Sequence, residues 1–105
     1  MKITDFDPAD YLTTKEAMIG YLNEALKTSI EDNTPEHFME ALGDVTRAQG
    51  ITNAAKSTDL NREHLYRSLS KKGNPTFSTI IKLIKFLGLE INITEAQSVK
   101  TAIAL

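Results

Sequence analysis

The chain has no cysteine and no tryptophan, and its 105 residues include only two histidines, His37 and His64. Without cysteine there can be no disulfide, no thiolate catalysis and no zinc site of the usual cysteine-containing kind. Two histidines are too few to hold a metal ion unless carboxylates complete the site. We therefore expect neither a bound metal nor another cofactor, and a fold stabilised by its hydrophobic core alone.

Long apolar runs are also missing. No stretch approaches the roughly 18 apolar residues that a membrane span needs, and the opening MKITDFDPADY has neither the basic start nor the apolar run of a secretory signal. We therefore expect a cytoplasmic protein. Its composition, with 41% hydrophobic and 25% charged residues, is typical of one small domain with a single core.

Motifs for catalysis are missing as well. The chain has no Gly-rich phosphate loop, and no histidine stands beside a serine and a carboxylate in a recognisable motif. Glu40 and Asp44 lie four residues apart, but such carboxylate pairs usually belong to a solvated helix face. We expect this protein not to be an enzyme.

The charges are distributed unevenly along a chain whose net charge is −2. Residues 1–46 hold three lysines against ten acids, a net charge of −7, whereas residues 47–85 hold eight bases against two acids, a net charge of +6. This asymmetry indicates an anionic partner for the middle of the chain and a cationic partner for its front. Chance clustering of charges on solvated helices is the alternative.

Apolar residues at helical spacing, separated by turn-forming residues, predict a mainly α fold. The predicted helices cover residues 15–30, 35–49, 52–58, 62–70 and 79–87. Residues Leu89 to Thr94 instead alternate apolar and polar side chains, which predicts a short β-strand with one buried face.

Short polar side chains mark where three of these helices begin. Thr13 or Thr14 can cap the first helix, because a hydroxyl accepts hydrogen bonds from the amides of the first turn. By the same reasoning Thr34 caps the second helix and Ser78 caps the fifth. Gly50 ends the second helix, and we expect its backbone in the left-handed αL conformation.

The central segment, residues 51–69, has the sequence ITNAAKSTDLNREHLYRSL. A helix-turn-helix needs a small residue where its helices cross, a tight turn, a buried residue that leaves the turn, and a cap for the second helix. The residues that fit these roles, in order, are Ala55, Asp59, Leu60 and Asn61. Leu65 and Leu69, one turn apart, would anchor the second helix inward.

We predict that the second helix of this motif lies in the major groove of duplex DNA as a recognition helix. The side chains that face outward near its N-terminal end are Arg62, Glu63, Tyr66 and Arg67. Which of them read bases and which bind phosphates stays open. The residues expected to flank them with phosphate contacts are Thr52, Asn53, Lys56, Lys71 and Lys72, and the cap Asn61 is expected to belong to the same DNA-binding surface. An amphipathic helix with merely solvated charges is the alternative.

The chain resembles a known family at this point. Three features are similar to the Xre/Cro class: the helix-turn-helix, the loop Gly73–Phe77, and the helix Ile80–Leu89, which ends in Leu-Gly-Leu. Within that class, the chain resembles most the addiction-module antidote proteins encoded beside RelE/ParE-like toxins, a HigA-type antitoxin group. The segments that carry this resemblance are Asp10–Leu12, Tyr21–Ala25 and Ala41–Val45. The resemblance extends over nearly the whole chain.

The resemblance implies a homodimer that represses its own operon by binding operator DNA and that neutralises a small basic toxin, a ribonuclease that cleaves messenger RNA. Complementary charge would then steer the acidic front onto the toxin, and we expect residues 15–30 and the acidic opening to face it. A stand-alone Xre-class transcriptional repressor without a toxin is the alternative. A short basic reading frame immediately upstream would distinguish the two.

The implied architecture is a five-helix Xre/Cro-like helix-turn-helix domain with an extra N-terminal helix and a short C-terminal β-strand. Residues 1–33 would form an acidic N-terminal segment of the same compact unit, residues 34–94 the DNA-binding domain, and residues 95–105 a tail. The dimer interface stays open between two possibilities. One is pairing of the 89–94 strand with its twin, and the other is an apolar surface formed by Leu87, Leu89, Ile103 and Leu105.

Overall fold

The computed structural model of the chain describes residues 12–70 and 73–96. These residues form five α-helices: α1 (Lys15–Asp32), α2 (Glu36–Gln49), α3 (Ile51–Thr58), α4 (Arg62–Ser68) and α5 (Phe77–Phe86). The prediction of a mainly α fold is therefore confirmed. None of these five helices is both long and apolar enough to cross a lipid bilayer. The predictions that concern the acidic opening, Lys71, Lys72 and the end of the tail lie outside the described residues.

Helix α1 begins and ends at polar residues. Of the two candidate caps, Thr14 takes the role, since its hydroxyl accepts a hydrogen bond from the amide of Ala17 at 3.1 Å. The helix continues two residues beyond the predicted end at Ile30. It stops at Asn33, whose φ of 55° and ψ of 40° place it in the αL region that asparagine tolerates.

The prediction that Thr34 caps α2 is wrong. The Thr34 hydroxyl donates to the carbonyl oxygen of Asp32 at 3.1 Å and does not cap the helix. The buried hydroxyl of Ser29, on α1, instead accepts a hydrogen bond from the Phe38 amide at 2.9 Å. At the other end of α2, Gly50 has φ 103° and ψ 114°, so its backbone lies outside the expected αL region.

Helix α5 begins earlier than predicted. Ser78 lies inside the helix, and Thr76 is the cap, since its hydroxyl accepts a hydrogen bond from the Thr79 amide at 3.2 Å. The helix ends at Phe86, and Gly88 follows with a positive φ of 74°. Glycine suits this conformation because it has no Cβ atom.

The core is shared by all five helices. Its fully buried apolar side chains are Leu12, Leu42, Val45, Ala54, Leu65 and Leu83. Met18 and Leu22 of α1 belong to the same buried cluster, so α1 is a structural part of the domain. The apolar stripe of α1 is only partly covered, because Ile19 and Ile30 are exposed.

One hydrogen bond joins the beginning of α1 to the end of α5. The Lys15 Nζ donates to the carbonyl oxygen of Leu87 at 3.0 Å. The chain then continues through residues 89–96 without regular secondary structure, and the described residues contain no strand. The predicted strand at 89–94 is thus not confirmed within the single chain. Ile91 and Ile93, which it would contain, are both exposed.

The core contains one polar group that permits a test of stability. Thr46 is 0% exposed, and its Oγ1 has no hydrogen-bond partner among the described residues. A buried hydroxyl without a partner costs about 1 to 3 kcal/mol, because it has lost its bonds to water. We expect Thr46→Val to raise the free energy of unfolding by about 1 kcal/mol or more, measured by urea denaturation.

The same substitution at a bonded threonine is the control for this test. Thr58 is also buried, but its hydroxyl donates to the carbonyl oxygen of Ala54 at 2.7 Å. Thr58→Val should therefore leave the stability unchanged or lower it. An equal loss of stability in both variants would show that the Thr46 hydroxyl is satisfied.

Candidate nucleic-acid interface

Helices α3 and α4 are joined by a tight turn of residues 59–61. Asp59 adopts the αL conformation with φ 58° and ψ 35°, a backbone that aspartate tolerates better than most residues. Leu60 follows, packs against the core, and donates its amide to the carbonyl oxygen of Ala55 at 3.0 Å. Asn61 then caps α4 as predicted, since its Oδ1 accepts a hydrogen bond from the His64 amide at 3.0 Å.

Helix α4 has only seven residues and depends on the core for its position. A helix this short is not stable alone in water. Leu65 and Leu69 are buried, as predicted, and hold its inner side. Gly43 of α2 lies close to the C-terminal end of α4, so that a Cβ atom at Gly43 would be only 2.9 Å from the carbonyl oxygen of Leu69. Packing therefore fixes the direction in which α4 presents its outer side.

The outer side of α4 carries the four side chains that were predicted to meet DNA. Arg62, Glu63, Tyr66 and Arg67 are all exposed, and Tyr66 retains 58% of its accessible surface. The Arg62 Nε donates a hydrogen bond to the Thr52 Oγ1 at 3.1 Å. This bond joins the first turns of α3 and α4, and the sequence spacing of ten residues gave no signal for it.

Three of the residues predicted to surround this row lie together on the α3–α4 surface, and one of the described residues lies apart from them. Thr52, Lys56, Asn61 and Arg62 line one shallow depression between α3 and α4, of about 450 Å³. Asn53 is exposed on α3 but lines a different depression, together with Lys15 and Phe86. The remaining two predicted contacts, Lys71 and Lys72, lie outside the described residues.

The cations of this surface are available for an external anion. In the described parts of the chain the ion pairs are His37 with Asp32 and Arg47 with Asp44, so Lys56, Arg62 and Arg67 form none. Guanidinium groups match phosphates and the guanine edge by paired hydrogen bonds. The surface of α3 and α4 therefore has the charge and the donors that a nucleic acid requires.

A second concave surface lies between α1 and α2, and the sequence had not indicated it. It is a groove of about 580 Å³, which we call the α1–α2 groove, lined by Tyr21, Glu24, Ala25, Thr28, His37, Glu40, Ala41, Asp44 and Arg47. The Tyr21 hydroxyl donates to Asp44 Oδ2 at 2.6 Å, across 23 residues of sequence. Of its lining, Glu40 and Asp44 had been noted in the sequence as an i, i+4 pair, but that spacing does not indicate a groove.

The sequence is similar to those of known proteins. A family described as "Probable addiction module antidote protein" matches residues 2–95. An uncharacterized protein of Haemophilus influenzae is 41% identical to this chain over 96 residues. These residues cover 91% of this chain and 95% of that protein. No solved structure shows a significant match.

Proposed function

Because the chain belongs to the family of probable addiction module antidote proteins, we propose that it is the antitoxin of a type II toxin–antitoxin module. It neutralises a RelE/ParE-like toxin by direct binding and represses its own operon by binding operator DNA. The match over residues 2–95 carries this proposal, because it spans all five helices. Both activities are binding activities in the cytoplasm, and we propose no catalysis.

The proposed DNA reader is the pair α3 and α4, acting as an Xre/Cro-class helix-turn-helix with α4 in the major groove. The exposed row of Arg62, Glu63, Tyr66 and Arg67 supports this assignment, as does the absence of ion pairs at the two arginines among the described residues. Lys56 and Thr52 would bind backbone phosphates and fix the register. Because phosphate binding releases counterions, the affinity falls as salt rises.

The proposed homodimer uses the segment that follows α5. Ile91 retains 44% of its accessible surface and Ile93 retains 94%, and the two lie on alternate residues. Exposed apolar side chains at this spacing favour pairing with the same segment of a second copy. The predicted strand at 89–94 would then form only in the dimer.

Co-expression tests the proposed function. The partner to test is the product of a short basic reading frame immediately upstream of the gene for this chain, and the absence of such a frame would favour the stand-alone repressor. We expect that partner alone to arrest growth, this chain to restore growth, and the two proteins to co-purify as one complex. The region upstream of the pair should bind the complex in a gel shift. If the chain binds that DNA but neither restores growth nor co-purifies, it is a stand-alone repressor.

A further inference from the structure

The α1–α2 groove has small side chains inside and carboxylates at its sides. Ala25 of α1 and Ala41 of α2 both line it, so the two helices leave room for another molecule. Its lining also includes Glu24 from α1 and Glu40 from α2, both of which are exposed. An incoming side chain could therefore place an apolar stem between the helices and a charged end beside a carboxylate.

One carboxylate of the groove is already hydrogen-bonded and ion-paired to neighbouring side chains, whereas two others form no ion pair with the described residues. Asp44 is occupied, because its Oδ2 accepts the Tyr21 hydroxyl and its Oδ1 pairs with Arg47. Glu24 and Glu40 form no ion pair with any residue in the ranges 12–70 and 73–96. The groove thus presents two unpaired negative charges, one from each helix, beside a carboxylate whose geometry is fixed.

We propose that the α1–α2 groove binds the RNA-binding surface of the toxin, with Glu24 and Glu40 in the places that RNA phosphates would occupy. This inference rests on the proposed function. A toxin that cleaves RNA must bind a polyanion, so its substrate surface requires clustered arginine and lysine side chains. Those side chains form charge-assisted hydrogen bonds with carboxylates as well as with phosphates.

The consequence is a particular mode of neutralisation. The antitoxin and the RNA compete for the same cations, so the toxin cannot hold both at once. The α3–α4 surface and this groove, which differ in the sign of their unpaired charges, would then bind different partners. The first surface takes an anion, and the second takes a cation.

Charge reversal in the groove tests the inference. The variant carries Glu24→Lys and Glu40→Lys, and the matched control carries Glu31→Lys and Glu95→Lys, which are exposed and do not line the groove. Both variants change the net charge by the same amount. Reversal is preferable to deletion of α1, because Met18 and Leu22 of that helix belong to the core. Thermal denaturation and operator binding check that both variants fold.

We expect the groove variant to bind the co-expressed toxin about 100-fold more weakly than the natural chain, whereas the control stays within about threefold. A single-stranded RNA oligonucleotide should displace the natural chain from the toxin competitively. Equal affinity of the two variants, or RNA that joins the complex without displacing the antitoxin, would overturn the inference and leave the proposed function standing. If the natural chain itself binds no toxin, the proposed function fails instead.

Discussion

Replacing both Arg62 and Arg67 by alanine should weaken operator binding by about 2 to 5 kcal/mol, roughly 30- to 5,000-fold, and leave the fold intact. Each good contact between an arginine and a base contributes about 1 to 3 kcal/mol of discrimination. Both side chains are exposed on α4, and the Arg62 side chain makes only one hydrogen bond that the structure describes, to Thr52. Their loss should therefore cost little stability.

A matched loss of charge separates recognition from general attraction. Lys82 and Lys85 are exposed on α5, so Lys82→Ala with Lys85→Ala removes the same two positive charges from another helix. We expect this control to weaken binding much less in a gel shift at fixed salt. Unchanged affinity of the Arg62 and Arg67 variant would rule out α4 as the recognition helix.

Leu65→Ala should lower the free energy of unfolding by about 2 to 5 kcal/mol. The Leu65 side chain is 0% exposed and is the anchor near the middle of a helix of seven residues. Removing it leaves a cavity where α4 meets the core. Because each kcal/mol shifts the midpoint of thermal unfolding by about 4 to 8 °C in a domain of this size, the change is easy to measure by circular dichroism.

The neighbouring residue supplies the control for this variant. Tyr66 follows Leu65 on α4 and retains 58% of its accessible surface. Tyr66→Ala should change the free energy of unfolding by no more than about 0.5 kcal/mol, as is usual for surface substitutions. If both variants unfold at the same temperature as the natural chain, α4 does not depend on the core in the way that its burial indicates.

Features that depend on neighbouring residues in sequence were predictable. The caps Thr14 and Asn61 act within three residues of the amides they bind, and a single hydroxyl or amide group decides each one. The inward anchors Leu65 and Leu69 follow from helical spacing alone. The exposed side of α4, on which the proposed DNA contact depends, could therefore be identified before the fold was known.

Features that depend on another helix were not predictable. In the first turn of α2, the Phe38 amide donates its hydrogen bond to the hydroxyl of Ser29. Ser29 belongs to α1 and faces that amide only after both helices have packed. The α1–α2 groove is lined by residues of two helices, among them Tyr21 and Asp44, whose contact across 23 residues no local period reveals. At α5 the difficulty was different, because Thr76 and Ser78 are both good caps and the sequence does not rank them.

The hydrogen bond between Lys15 and Leu87 has a consequence for how the protein is made. It closes a loop of 72 residues, and Leu83 of α5 completes the same core that Met18 of α1 enters. During synthesis the first four helices leave the ribosome before α5, so they wait with an unfinished core. Until about residue 87 has emerged, the core to which α1, α2, α3 and α4 all contribute is incomplete. Both surfaces therefore rest on a core that only α5 completes.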